Sequence, residues 1–324
     1  MRIASSFTYL GLFALATAIT ASCTDSPAPQ GDNDASVVPT SDARSNDSAK
    51  PPDPLDSAVV GVDVREDAAV TADTAPPPPD LLTPETITVG SRTRSFGVRI
   101  PKTYDPLVAY PVVFLFHGNG GDGASLYGYF KFQVASRESA ILVYPNAENL
   151  DWDLYTPMAT NKDIAFVDAM VASLSARYTV DDTKIFGWGW SNGAFFVNQV
   201  ACRRSGLFRG IASHAGGAPY EPSDPNRKWP NGAQQCPGQT AVPFLGFHGD
   251  QDPVVGIAGG EYNATYWAYV NGCGGTRVAT TPAPCAAYPS CSAGKPVVFC
   301  SIPGFGHGIW DQAAKASWDF FRSL

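Results

Sequence analysis

The chain has 324 residues, of which 44% are apolar, 12% aromatic and 16% charged, and its formal net charge is -8. That length admits two average domains or one large one. The acidic balance excludes a nucleic-acid binder, which needs a basic patch to neutralise phosphates.

The first predicted element is an apolar run over residues 10–19, preceded by a lone Arg2 and followed by Thr20, Ala21, Ser22 and Cys23. The run is too short to span a bilayer comfortably and reads as an export leader, with residues 1–22 as the signal peptide. Small residues ending in cysteine resemble a bacterial lipoprotein signal, in which Cys23 would carry the lipid, although Thr20 stands where that family prefers Leu. Residues 24–80 hold 12 acidic and 3 basic side chains, ten prolines and no aromatic residue. Such a stretch cannot bury enough apolar surface to offset its ordering entropy, so residues 23–80 are expected to be a disordered acidic linker. A flexible coil of that length reaches roughly 40 Å. Residues 81–324 balance at 18 basic and 18 acidic side chains, so the acidity belongs to the linker and not to the folded part.

From residue 86 onward, apolar β-branched runs alternate with helical patterns. Two early strands flank a turn at Gly90 and Ser91. Residues 111–116 (PVVFLF) form a continuous apolar run, as in a strand buried on both faces. Residues 141–144 give another strand. Residues 163–178 carry apolar side chains at helical spacing. A strand at 184–190 leads into a helix at 192–203. Further strands are expected at 210–214, 243–248 and 296–302, with helices at 262–271 and 313–321. This alternation predicts a mostly parallel sheet with helices on both faces.

Gly189-Trp190-Ser191-Asn192-Gly193 is a G-x-S-x-G pentapeptide lying between a predicted strand and a predicted helix, the context in which that pattern marks a nucleophilic serine. A tight strand-to-helix turn would expose the Ser191 hydroxyl, and the flanking glycines avoid clashes there. The Asn192 N–H would then face a developing oxyanion at a helix amino terminus. The base should follow later in the chain. Only four histidines are present. His117 and His248 each end a strand before a glycine and suit turn-holding roles, while His214 comes too soon after the nucleophile. His307, in the glycine-rich stretch 304–308, is left as general base. For the orienting acid, Asp250 and Asp252 both fit. Asp250 could instead cap the turn, whereas Asp252 lies where the loop can bend back. The glycine-rich loop 117–123 follows a buried strand and offers the Asn119 N–H as second oxyanion donor.

The pieces PVVFLFHG, NKDIAFVDAMVASLSARYTVDDTKIF, GWSNG, FHGDQDPVV and GFGHGIW, in this order, resemble the secreted α/β-hydrolase group that contains feruloyl esterases and poly(3-hydroxybutyrate) depolymerases. The resemblance covers about residues 86–322, and residues 81–324 are taken as the catalytic domain. It implies the α/β-hydrolase fold, the acid at Asp252, and Ser191 and His307 in the roles above. Ala194 departs from the glycine usual after the pentapeptide, and the region from 235 to 300 is unusually rich in cysteine.

Removing Cys23 leaves six cysteines, an even set for an oxidising compartment. Cys202, Cys236, Cys273, Cys285, Cys291 and Cys300 allow 15 pairings, and spacing does not decide among them. The expected set is Cys202–Cys236, Cys273–Cys291 and Cys285–Cys300, which would pin the loops around His307. No metal or cofactor is implied, since no paired C-x-x-C spacing appears. Trp152, Trp188, Trp190 and Trp310 lie near motif segments. Core packing accounts for most large aromatics, but Trp190, beside the nucleophile, is the best candidate for a substrate wall.

The expected function is hydrolysis of plant cell-wall feruloyl or acetyl esters by an exported serine esterase, either a cell-surface or outer-membrane lipoprotein touching the membrane only through its anchor, or an extracellular enzyme. Its partner is an ester substrate, linked to plant polysaccharide or to a polyester. A polyester depolymerase is the alternative within enzymes, weakened because the aromatic-free linker cannot adsorb to a solid polymer. A non-catalytic carbohydrate-binding lipoprotein is the alternative from another class.

Overall fold

The computed structural model describes residues 82–324. The expected leader at residues 1–22, Cys23 and the linker at 23–80 lie outside the described residues.

Among the described residues, ten strands form one sheet. They are β1 (Thr83–Val89), β2 (Arg92–Arg99), β3 (Tyr110–Phe116), β4 (Ile141–Pro145), β5 (Val180–Trp190), β6 (Gly210–His214), β7 (Phe244–Gly249), β8 (Val278–Ala279), β9 (Cys285–Ala287) and β10 (Val297–Ile302). The spatial order is β1-β2-β4-β3-β5-β6-β7-β10-β9-β8. From β4 to β10 in this order, neighbours run parallel, while β1 and β2 on one edge and β9 and β8 on the other pair antiparallel. Within the same residues the α-helices are α1 (Gly123–Phe130), α2 (Phe132–Ser136), α3 (Lys162–Arg177), α4 (Asn192–Arg203), α5 (Ile257–Val270) and α6 (Ala313–Arg322).

The period-2 geometry of β3 divides its apolar run between two cores. Val112, Phe114 and Phe116 pack with residues of α3, α4 and α5, including Phe166, Phe196 and Trp267. Val113 and Leu115 pack on the other face with residues of α1, α2 and α6, including Phe130, Phe132 and Trp318. The sheet is therefore covered on both faces, which is why its central strands read as unbroken apolar runs. Helix α3 starts at a cap, where the Asn161 side chain accepts from the Asp163 and Ile164 N–H groups at 3.0 Å, satisfying donors the first turn would otherwise leave open.

The differences from the sequence expectation concern elements rather than topology. Helices α1 and α2 stand where no element was expected. Helix α5 starts at Ile257 and not at residue 262. The short strands β8 and β9 extend the sheet past β10.

Three disulfides join Cys202 to Cys236, Cys273 to Cys291 and Cys285 to Cys300, the same pairs set out from the sequence. Cys285 and Cys300 face each other in the β9–β10 register. That bridge ties β10, the strand that delivers the His307 loop, to the sheet edge. Intact bridges are the mark of an exported protein.

Candidate active site

Strand β5 enters helix α4 through Ser191, whose backbone lies at φ 55 and ψ -122. A non-glycine residue at positive φ is strained and persists only where its surroundings over-determine it. Here the surroundings do so. The Ser191 N–H donates to the His214 carbonyl at 2.9 Å, and the Ser191 carbonyl accepts from Ala194 and Phe195. The flanking glycines are required by space: a Cβ on Gly189 would come 2.1 Å from the Gly193 carbonyl oxygen, and one on Gly193 would come 2.3 Å from that of Phe116. Ala194 is accommodated because Gly216 lies opposite, where a Cβ would approach the Ala194 methyl to 2.5 Å.

The ends of three parallel strands converge on Ser191. Its Oγ lies 2.9 Å from His307 Nε2, and His307 Nδ1 lies 2.7 Å from Asp252 Oδ2. The other carboxylate oxygen of Asp252 accepts from the Val254 and Val255 N–H groups, each at 2.9 Å. Asp250 points elsewhere and accepts from the Gly304 N–H at 2.7 Å. Geometry thus separates two aspartates that spacing left open. Burial opposes ionisation of Asp252 most strongly. The His307 hydrogen bond and the Val255 and Val254 amides outweigh it, so its carboxyl titrates below the ordinary range.

The other three histidines hold backbone. His117 Nε2 accepts from the Ala147 N–H at 3.1 Å, and its Nδ1 lies 2.7 Å from the Gly118 carbonyl. His248 Nε2 lies 2.6 Å from the Val255 carbonyl, steadying the loop that carries Asp252. His214 joins two parts of the site. Its carbonyl anchors Ser191, and its Nε2 accepts from the Trp310 N–H at 2.9 Å, just past His307.

The loop after β3 lies against Ser191, since a Cβ on Gly118 would sit 2.8 Å from the Trp190 ring and 3.3 Å from Ser191 Cβ. Asn119 follows Gly118 in that loop, and Asn192 follows Ser191 as the first residue of α4. Sequence reasoning missed the strap that steadies them. Trp152 Nε1 donates to the His117 carbonyl at 2.9 Å, and the Trp152 N–H donates to the Asn192 side chain at 2.7 Å. These partners are 35 and 40 residues apart, and no local pattern signals them. Trp188 and Trp152 are core residues, and Trp310 is nearly so. Trp190 lies 5.5 Å from the His307 ring, centroid to centroid, and edge-on to the half-exposed Tyr129 at 6.3 Å. Tyr129 was not singled out from the sequence. Burial raises its phenol to about 12.

His214 is fully buried, and burial drives its pKa down to about 3, helped by the positive charge that His248 and His307 can carry and opposed by Asp252. Because the folded value lies below the ordinary 6.5, the unfolded chain binds the proton first. Stability is therefore complete above pH 6.5 and falls as the pH drops toward 3, by up to about 1.4 kcal/mol per unit from this group alone. His117, also lowered by burial, adds to the slope. The loss attributable to Asp252 comes later, below the usual carboxylate range. Urea midpoints should decline between pH 7 and pH 4.5, and His214→Gln should flatten that decline. Equal slopes in the two proteins would rule out His214 as the source.

A match to the prolyl oligopeptidase family covers residues 158–224, from just before α3 to beyond α4. Feruloyl esterase C of Emericella nidulans is 28% identical over 248 residues, spanning 71% of this chain and 84% of that protein. Feruloyl esterase D of Neurospora crassa is 24% identical over 271 residues, spanning 75% and 87%. Among solved structures, the acetyl xylan esterase from Aspergillus awamori superposes with a TM-score of 0.60 at 17% identity, over 74% of this chain and 99% of that one. The feruloyl esterase module from Clostridium thermocellum, complexed with sinapinate, gives 0.52 at 16% identity, over 76% and 88%. At these identities the structural likeness concerns the fold, which is that of the α/β-hydrolases.

Proposed function

We propose that this chain, a feruloyl-esterase-like serine ester hydrolase of the α/β-hydrolase fold, cleaves feruloyl or acetyl esters of the plant cell wall through an acyl-enzyme on Ser191. The observation that carries this reading is the continuous hydrogen-bonded line from Ser191 Oγ through His307 to Asp252, at a strained strand-to-helix turn.

Ser191 Oγ attacks the ester carbonyl carbon while His307 Nε2 takes its proton. The oxyanion accepts from the Asn119 and Asn192 amides, each worth about 3–4 kcal/mol in the transition state. Asp252 fixes the His307 tautomer with hydrogen on Nδ1 and stabilises the imidazolium. His307 then gives its proton to the leaving alkoxide. Water, deprotonated by the same imidazole, releases the acid and restores Ser191. Trp190 walls the acyl group, its ring beside His307. Aromatic acids of the kind bound by the Clostridium thermocellum module would gain from that face.

The panel that tests this is hydrolysis of methyl ferulate, p-nitrophenyl acetate and 3-hydroxybutyrate oligomers by the full chain. Turnover of the first two, with methyl ferulate preferred, is expected. No turnover of any ester would overturn the enzyme reading, and a preference for the oligomers would make it a polyester depolymerase.

The three disulfides belong to an exported enzyme. We infer that residues 1–22 direct export, that Cys23 is lipidated, and that residues 23–80 space the catalytic domain at 81–324 from the surface. Cys23→Ala should move the protein from the membrane to the soluble fraction of cells expressing the full chain. An unchanged distribution would exclude the anchor.

A further inference from the structure

A cavity of about 700 Å³ opens beside the nucleophile. Asn192, the residue after Ser191, forms part of its wall, together with Glu148, residues 151–156 and Asp163. Its rim carries the side chains of Asn149, Asp151, Thr160 and Lys162, all exposed, and the ring of Tyr155, which is 75% exposed. The ring therefore offers an open aromatic face to a ligand that enters the cavity from solvent.

The segment bearing that ring is held firmly. Asp153 accepts from the Tyr155 and Thr156 N–H groups at 3.0 and 2.9 Å. Asn161 donates to the carbonyls of Asp153 and Thr156 at 2.9 and 3.3 Å. From below, Arg203 of α4 donates to the carbonyls of Thr156, Leu154 and Tyr220. Its guanidinium is paired at 3.2 Å with Glu221, and both side chains are fully buried. A buried ion pair contributes little net stability, because desolvation offsets the attraction. What this one supplies is geometry: it brings two segments carrying exposed tyrosines, Tyr155 and Tyr220, to one side of the nucleophile helix.

The chemistry of the rim selects the occupant. Carboxylate, amide, hydroxyl and ammonium groups exchange hydrogen bonds with hydroxyls, and an exposed ring face takes the apolar C–H face of a sugar. A polyester repeat has no donor for Asp151 and an arylpropenoyl group offers at most its ring hydroxyl, whereas a sugar presents several hydroxyls that both donate and accept. The apolar half of the substrate instead finds its partner at Trp190 and Tyr129. The acidic lining is not a metal site either. Asp163 is committed to Arg94 and the Asp153 N–H, and Glu148 to Arg92. Among the described residues no cluster of three or more His, Cys, Asp or Glu side chains could hold an ion.

We propose that this cavity is a saccharide subsite that holds the sugar bearing the ester, with Tyr155 as its stacking platform. In assigning that sugar to the ester, the proposal rests on the esterase reading above. The test uses no ester. The full chain carrying Ser191→Ala is titrated with an unesterified xylo-oligosaccharide by calorimetry. Saturable binding is expected. Adding Tyr155→Ala should weaken it about tenfold, the effect of losing one stacked ring, and Tyr155→Phe in its place should restore it. Absence of saturable binding, or equal affinity with Tyr155→Ala, would overturn the subsite. Because binding needs no turnover, failure of the ester panel would count against the esterase reading and leave this result to stand by itself.

Discussion

Replacing Ser191 by alanine is expected to lower kcat on methyl ferulate by about 10⁵–10⁶-fold while leaving KM within a few fold. The side chain of Ser191 makes one hydrogen bond, to His307. Its backbone bonds to His214, Ala194 and Phe195 survive the change, as does the positive φ that the packing imposes. Stability should therefore move by less than about 1 kcal/mol, so that a large kinetic loss cannot be ascribed to unfolding. Groups that act as one unit are not additive: His307→Ala should cost a similar factor, and the double variant little more than either alone. The remaining rate would come from binding and from the Asn119 and Asn192 amides. A loss below about a hundredfold, or clear additivity with His307→Ala, would show that Ser191 is not the nucleophile.

The parts of this fold legible in the sequence are those whose signal is local. Strand β6 and helix α4 lie at the limits read from the sequence, because each passes abruptly from one side-chain period to another. The start of α5 was missed because residues 259 and 260 are both glycine, a poor helix former. Tertiary packing overrides that propensity: Gly260 lies against the His248 imidazole, where a Cβ would come 2.3 Å from Nδ1. A glycine that looked like a helix breaker is there to admit a histidine from β7. Helix α1 opens on Gly123 for a similar reason, since a Cβ there would meet the Tyr144 carbonyl oxygen at 2.3 Å. Two-residue β8 is exposed on both positions and offers no alternation to read. In the site, the pentapeptide and the scarcity of histidines narrowed the nucleophile and base. The Trp152 strap, the bridging role of His214 and the contact of Tyr129 with Trp190 join residues from separate elements, and only folding brings them together.

Asp252→Asn is expected to reduce kcat by about 10⁴-fold, and Asp250→Ala by less than tenfold. The two residues sit on one turn after β7, but their partners differ. Asp252 faces His307 Nδ1 at 2.7 Å with its charged form favoured. An asparagine amide turned toward that nitrogen would donate to it, driving the imidazole hydrogen to Nε2. His307 would then present a donor to Ser191 Oγ and could not take its proton. With the amide oxygen turned inward the tautomer is right, but the imidazolium formed in the transition state loses its counter-charge. Either outcome attacks the chemical step and spares substrate binding, so the loss should appear in kcat and not in KM. The Asp250 side chain accepts from the Gly304 N–H in the loop leading to His307. That loop keeps the bonds from Gln251 N–H to the Phe305 carbonyl and from Asp250 N–H to the Ile302 carbonyl. Removing one hydrogen bond of this kind costs about 1 kcal/mol, to be read in a urea midpoint. If Asp250→Ala proves the more damaging in kcat, the acid has been assigned to the wrong aspartate, and the short contact between Asp252 and His307 would be a structural pair alone.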